Sequence, residues 1–93
     1  MLKDNDKLAK VVRGFSNRHR VGILILLSKT SGLSVGALSD VLGISFRAAS
    51  EHSQRLEEAG LVVKKRRGQQ IEHRLSLAGR RAVRFLNDLR DLA

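Results

Sequence analysis

Between Ser34 and Leu61 the chain reads SVGALSDVLGISFRAASEHSQRLEEAGL, and its apolar positions recur at helical spacing in two stretches separated by one glycine. Ser34 is a good N-cap, and Val35, Leu38, Val41 and Leu42 share one face of the helix it opens. Gly43 stands where a left-handed residue closes a helix, which puts Ile44 within reach of Leu38. Ser45 then caps a longer helix that ends at Gly60, with Leu61 placed to fold back on Leu56. Two capped helices joined by a short turn containing Gly predict a helix-turn-helix over residues 34–60.

Upstream, Asp4, Asn5 or Asp6 can cap a first helix whose stripe is Leu8, Val11, Val12 and Phe15. Residues 14–17 break it. A second helix begins near Asn17 and carries Val21, Ile23, Leu24, Ile25, Leu26 and Leu27, apolar almost all round, which predicts a central buried helix. Residues 28–32 read as a polar loop. After Gly60 the period falls from 3.6 to 2: residues 61–65 read as one strand, and Ile71, His73, Leu75 and Leu77 alternate with Glu72, Arg74 and Ser76 on another. Gly68, inside Arg66-Arg67-Gly68-Gln69-Gln70, can take the positive φ of a hairpin turn. A basic hairpin behind such a helix pair is a wing, over residues 61–77. A last helix starts near Ala78 with Ala82, Phe85, Leu86, Leu89 and Leu92 at helical spacing. The expected fold is mainly α with a small β-hairpin wing, in the order α-α-α-α-β-β-α, as one winged helix-turn-helix domain over residues 1–93.

Charge adds a partner to this picture. Eighteen Lys and Arg against nine Asp and Glu give 93 residues a formal charge of +9, with four cations in a row at residues 64–67. So basic a fold calls for a polyanion, and nucleic acid comes first. With no Trp or Tyr and three Phe there is no aromatic platform for stacking single strands, which favours duplex DNA. No cysteine means no disulfide and no thiolate metal site. His19, His52 and His73 fall on three different elements with no ligand-pair spacing, so neither metal nor cofactor is expected. No nucleophile, base and acid come together in a motif, so the chain does not read as an enzyme. The apolar run from Val21 to Leu27 is too short to cross a membrane and no cleavage site follows it, so a cytoplasmic location is expected.

Particular segments carry a resemblance. Asn17-Arg18-His19-Arg20 leading into Ile23-Leu24, Leu33-Ser34-Val35, Leu42-Gly43-Ile44-Ser45, and Arg55-Leu56-Glu57-Glu58-Ala59-Gly60-Leu61-Val62 occur in the order found in the ArsR/SmtB family of winged-helix transcriptional regulators, which the chain resembles over almost its whole length. Leu75-Ser76-Leu77-Ala78-Gly79-Arg80 is similar to the strand-to-helix junction of MarR-like winged proteins. Two departures matter. The Cys and His ligands of the family's metal sensors are absent, so metal sensing does not carry over. Ser53 stands where the family usually places a large apolar residue, which leaves the second helix of the motif short of core volume. Ser53 can bond back to the carbonyl of Ala49.

Wound at about 100° per residue, this second helix turns Ala49, His52, Leu56 and Ala59 toward the core and Arg47, Ser50 and Gln54 away from it, with Phe46 and Glu51 on the flanks. The outward positions match the DNA-contacting positions that the resemblance implies. Arg47 suits guanine O6 and N7, and Gln54 suits adenine N6 and N7. Ser50 lets the backbone approach, and Glu51 can accept from a cytosine amine or simply be solvated. Ser45 contributes the helix N-terminus, whose free N–H groups suit phosphate. The wing offers Lys64, Lys65, Arg66, Arg67, Gln69 and Arg74 to phosphate or to the minor groove. The first and last helices, residues 4–15 and 78–92, carry more apolar face than one small domain covers. Leu8, Val11, Val12, Phe15, Phe85, Leu86, Leu89 and Leu92 are therefore expected at the seam of a two-fold homodimer. The function expected is sequence-specific binding of double-stranded DNA by a dimeric repressor that does not sense metal. A winged helix serving as a protein-interaction module, or a nucleoid-type architectural binder, are the alternatives.

Overall fold

A computed structural model describes residues 2–93, with side chains from Lys3 onward. Five helices and one hairpin run in the order α1 (Leu2–Phe15), α2 (Arg18–Lys29), α3 (Val35–Leu42), α4 (Phe46–Glu58), β1 (Val62–Arg67), β2 (Gln70–Leu75) and α5 (Leu77–Leu92). This is the winged helix-turn-helix order expected. The boundaries move by small steps. α1 begins at Leu2, ahead of the acidic residues expected to cap it. α2 runs on to Lys29, into the expected loop. Leu77 opens α5 instead of closing the wing, because Ser76 caps that helix by accepting from the Gly79 N–H at 3.0 Å.

The helix-turn-helix is closed by local chemistry at each junction. Ser34 and Ser45 cap α3 and α4 through the N–H groups of Ala37 and Ala48, each cap contributing about 1 kcal/mol. Gly43 closes α3 at φ 66°, and Ile44 N–H reaches the Ser39 carbonyl at 3.2 Å. Gly60, at φ 77°, closes α4 through a Schellman pair: Leu61 N–H to the Leu56 carbonyl and Gly60 N–H to the Glu57 carbonyl, both 2.9 Å. These glycines sit at positive φ, where a side chain would be strained.

α2 is the axis of the core. Its Ile23, Leu24 and Leu27 are buried with Leu38 of α3, Ala49 and Leu56 of α4, Leu61 and Val62 at the wing's root, and Ala82 and Val83 of α5. Phe15, expected at a dimer seam, lies instead in this core at 8 % exposure. The end of α1 points Phe15 inward while Leu8 and Val12 stay outside. Leu86 is half-buried against the same core. Ser53 is fully buried, and its hydroxyl donates to the Ala49 carbonyl at 2.6 Å, the bond expected of a polar residue in an apolar slot.

β1 and β2 pair antiparallel from Val62↔Leu75 to Arg67↔Gln70, which leaves Gly68 and Gln69 as a two-residue turn. Gly68 has φ 63° and Gln69 does not have a positive φ, the arrangement of a type II′ turn. The turn is tighter than the five residues expected, so Arg66 and Arg67 belong to the ladder. Leu33 adds a one-residue bridge to His73. Gly32 N–H donates to the His73 carbonyl at 3.0 Å, and His73 N–H donates to the Leu33 carbonyl at 2.9 Å. That same Leu33 carbonyl also accepts from His73 Nδ1 at 2.9 Å. His73 is buried, and burial holds its imidazole below the usual range, so it sits in the core as the neutral ring.

Candidate nucleic-acid interface

α4 presents one face to solvent because Ala49, Ser53 and Leu56 take the other. Phe46, Arg47, Ser50, Glu51 and Gln54 are exposed along it, with Ser45 at its start. Arg47 Nε donates to Glu51 Oε1 at 3.2 Å, one helical turn on, with both side chains well exposed. An exposed pair of this kind is held by a fraction of a kcal/mol, so Arg47 is free to exchange Glu51 for another acceptor. Glu51, a carboxylate on a face suited to an anion, thus has Arg47 as its partner.

The wing lies along one edge of α4. Alternation turns Val62 and Lys64 toward the helix and Val63, Lys65 and Arg67 outward. Lys64, expected among the outward cations, is turned inward: its Nζ donates to Gln54 Oε1 at 3.1 Å and lies 3.4 Å from Glu57 Oε1, with only a quarter of the side chain exposed. It ties the wing to α4 and takes the acceptor half of the Gln54 amide, leaving that amide's N–H₂ outward. Lys65, Arg66, Arg67, Gln69 and Arg74 are exposed; Arg74 reaches Glu72 at 3.4 Å.

On the opposite edge α4 meets α2. His52, expected in the core, is half-buried, and its ring lies 5.4 Å from that of His19, centre to centre, with Arg20 Nη1 at 3.3 Å from His52 Nδ1. No sequence pattern signals this pairing, since the two histidines are far apart in the chain. Burial first, then the charge of Arg20 and the neighbouring His19, hold His52 below the usual imidazole range. Among the described residues no three His, Asp or Glu side chains gather as a metal site would require.

The apolar positions of the terminal helices divide between inside and outside. Leu8, Val11 and Val12 on α1, and Phe85, Leu89 and Leu92 on α5, stand exposed, Leu92 at 84 %. No helix among the described residues is long and apolar enough to cross a membrane.

Comparison with known proteins agrees with this geometry. A family described as winged helix-turn-helix DNA-binding matches residues 16–63. The HTH-type transcriptional regulator YgaV of Escherichia coli (strain K12) is 33 % identical over 66 residues, covering 71 % of this chain and 67 % of that protein. Among solved structures, the homodimeric winged helix-turn-helix domain of Mb0332 from Mycobacterium bovis, a possible ArsR-family transcriptional regulator, superposes with a TM-score of 0.86 at 26 % identity over 97 % of this chain and 83 % of that one. The transcriptional repressor BigR from Xylella fastidiosa gives 0.76 at 28 % identity over 99 % and 88 %. With its capped helix pair, basic wing and exposed α4 face, the chain belongs to the winged helix-turn-helix DNA-binding family, and it is a transcriptional regulator, not an enzyme.

Proposed function

We propose that the protein works in the cytoplasm as a homodimeric repressor, reading a specific duplex sequence with α4 while its wings hold the flanking phosphates. The observation that carries this reading is the pairing of one exposed polar helix face with an adjoining strip of exposed cations. Arg47, Ser50 and the outward N–H₂ of Gln54 read base edges. Ser45, Phe46 and the first N–H groups of α4 approach the backbone, with Glu51 setting the Arg47 rotamer. Lys65, Arg66, Arg67, Gln69 and Arg74 supply phosphate contacts, and Lys64 fixes the angle between wing and helix. The exposed α1 and α5 residues form the seam between copies, in keeping with the homodimeric state of the Mb0332 domain. Repression is achieved by occluding a promoter, in keeping with the repressor role of BigR.

Salt tests the DNA reading. With roughly six to ten phosphates engaged per dimer, affinity for duplex falls steeply on a log–log plot against salt. Arg66→Ala with Arg67→Ala weakens binding to all sequences alike and flattens that slope by about two to four. Titrations at several chloride concentrations measure it, and a flat dependence for the wild type rejects duplex as the partner.

The protein acts without a metal effector. It has no cysteine, and the one close histidine pair has a guanidinium beside it, which repels a cation. Stoichiometric zinc, copper or nickel leaves DNA affinity and melting temperature unchanged; metal-driven release in a mobility shift contradicts this.

A further inference from the structure

Beyond the face of α4, an open cleft of about 840 Å³ lies between α1, the start of α2 and the end of α4, lined by Lys10, Arg13, Ser16, Arg20, Arg55 and Glu58. Four cations face it and one carboxylate. That carboxylate, Glu58, lies 3.7 Å from Arg55 in an exposed pair. Among the described residues no acid comes within ion-pair distance of Lys10, Arg13 or Arg20. Arg20 is held in place from below: Nη1 meets His52, Nη2 donates to the Arg13 carbonyl at 3.4 Å, and Nε is buried with no partner. The carbonyl end of α1 disfavours an anion, and Arg20 occupies one of its carbonyls, that of Arg13. Like charges left this close together without counter-charge disfavour the free protein and favour an anion between them.

The cleft also adjoins the proposed DNA surface. Arg55 and Glu58 line both this cleft and the outer face of α4 beside Ser50, Glu51 and Gln54. Gln54 and Lys64 mark the wing edge of α4, and His52 and Arg20 mark the other. A helix in the major groove has a phosphate strand on each side, and the wing serves only one.

We propose that this cleft is a phosphate-binding site, with Lys10 and Arg13 as its mobile ligands and Arg20 as its fixed base. Its source is the DNA strand on the side away from the wing, which rests on the DNA reading above, or a free phosphorylated compound. The test is the exposed pair Lys10→Ala with Arg13→Ala, checked for an unchanged melting curve. One arm measures the salt dependence of duplex binding. The other titrates inorganic pyrophosphate into the free protein at constant ionic strength, following the His19 and His52 ring signals and the Gly14 amide by NMR.

If the strand is the source, the variant's log–log slope flattens by about two, one phosphate per protomer at about 0.9 each. If a free compound is the source, the slope is unchanged while pyrophosphate shifts those signals saturably in the wild type and not in the variant. An unchanged slope together with no saturable shift overturns the site. Should the wild type bind no duplex at all, the DNA reading fails, and the pyrophosphate arm alone decides the cleft.

Discussion

Leu89→Asp is expected to separate the protein into folded monomers and to weaken operator binding by about 10²- to 10⁴-fold, the range by which linking two binding units raises affinity. Leu89 is 47 % exposed, whereas the side of α5 that the protomer's own core uses carries Gly79, Ala82 and Val83, with Leu86 half-buried against them. An aspartate at position 89 is thus solvated in the monomer. In a seam between two copies it becomes a buried, unpaired carboxylate, which costs several kcal/mol. A carboxylate near a helix C-terminus also opposes the macrodipole, by about 0.3–1 kcal/mol. Leu89→Lys removes that complication, since a cation suits that end, and should split the dimer equally. Sedimentation at micromolar concentration with circular dichroism reads both effects. A variant that unfolds outright places Leu89 in the monomer core, and a wild type that sediments as a monomer removes the seam.

Gly79→Ala is expected to lower stability by about 2–3 kcal/mol, and the melting temperature by about 10–20 °C. Helix propensity alone predicts the opposite sign, since alanine is better than glycine in a helix by about 1 kcal/mol. At this position a Cβ would run into the Leu61 carbonyl oxygen, which is backbone. That oxygen is already fixed by the Ser76 N–H at 3.0 Å, and the Ser76 hydroxyl donates to the Gly60 carbonyl at 2.6 Å. The end of α4, the root of the wing and the start of α5 therefore meet at one point, and separating them tilts the wing relative to α4. Gly36→Ala is the control. Its Cβ would meet only Ser34 Oγ at 3.8 Å, so it should be neutral or stabilising by up to about 1 kcal/mol. Thermal melts compare the two, and a rise in melting temperature for Gly79→Ala contradicts the close contact.

What could be read from the sequence was local. Ser34, Ser45, Gly43, Gly60 and Gly68 each answer to a backbone rule that spans a few residues, and each stands where that rule puts it. The hydrophobic period located the α4 face for the same reason, apart from His52 at its edge. Features that depend on a distant partner were illegible. A helical wheel shows that Phe15 shares a stripe with Leu8 and Val12 without showing which neighbour covers which end. Alternation alone does not say that Lys64 meets Gln54 and Glu57, because that depends on how closely the wing lies against α4. The one-residue bridge at Leu33 has no period to detect, and the pairing of His19 with His52 joins positions on two helices. Gly79 was visible only as part of a motif; its reason is the carbonyl of Leu61, eighteen positions earlier.

The most direct measurement of the central claim is a footprint on duplexes selected from a random pool by the wild-type protein. A dimer reading DNA through two α4 helices enriches a two-fold symmetric sequence. Its protected half-sites lie on one side of the duplex with centres about one helical turn, roughly 34–36 Å, or a multiple of it apart. Arg47→Ala should relax base preference at one position in each half-site and leave the phosphate protection under the wings in place. Enrichment of a single asymmetric half-site, or of no sequence at all, would contradict the account.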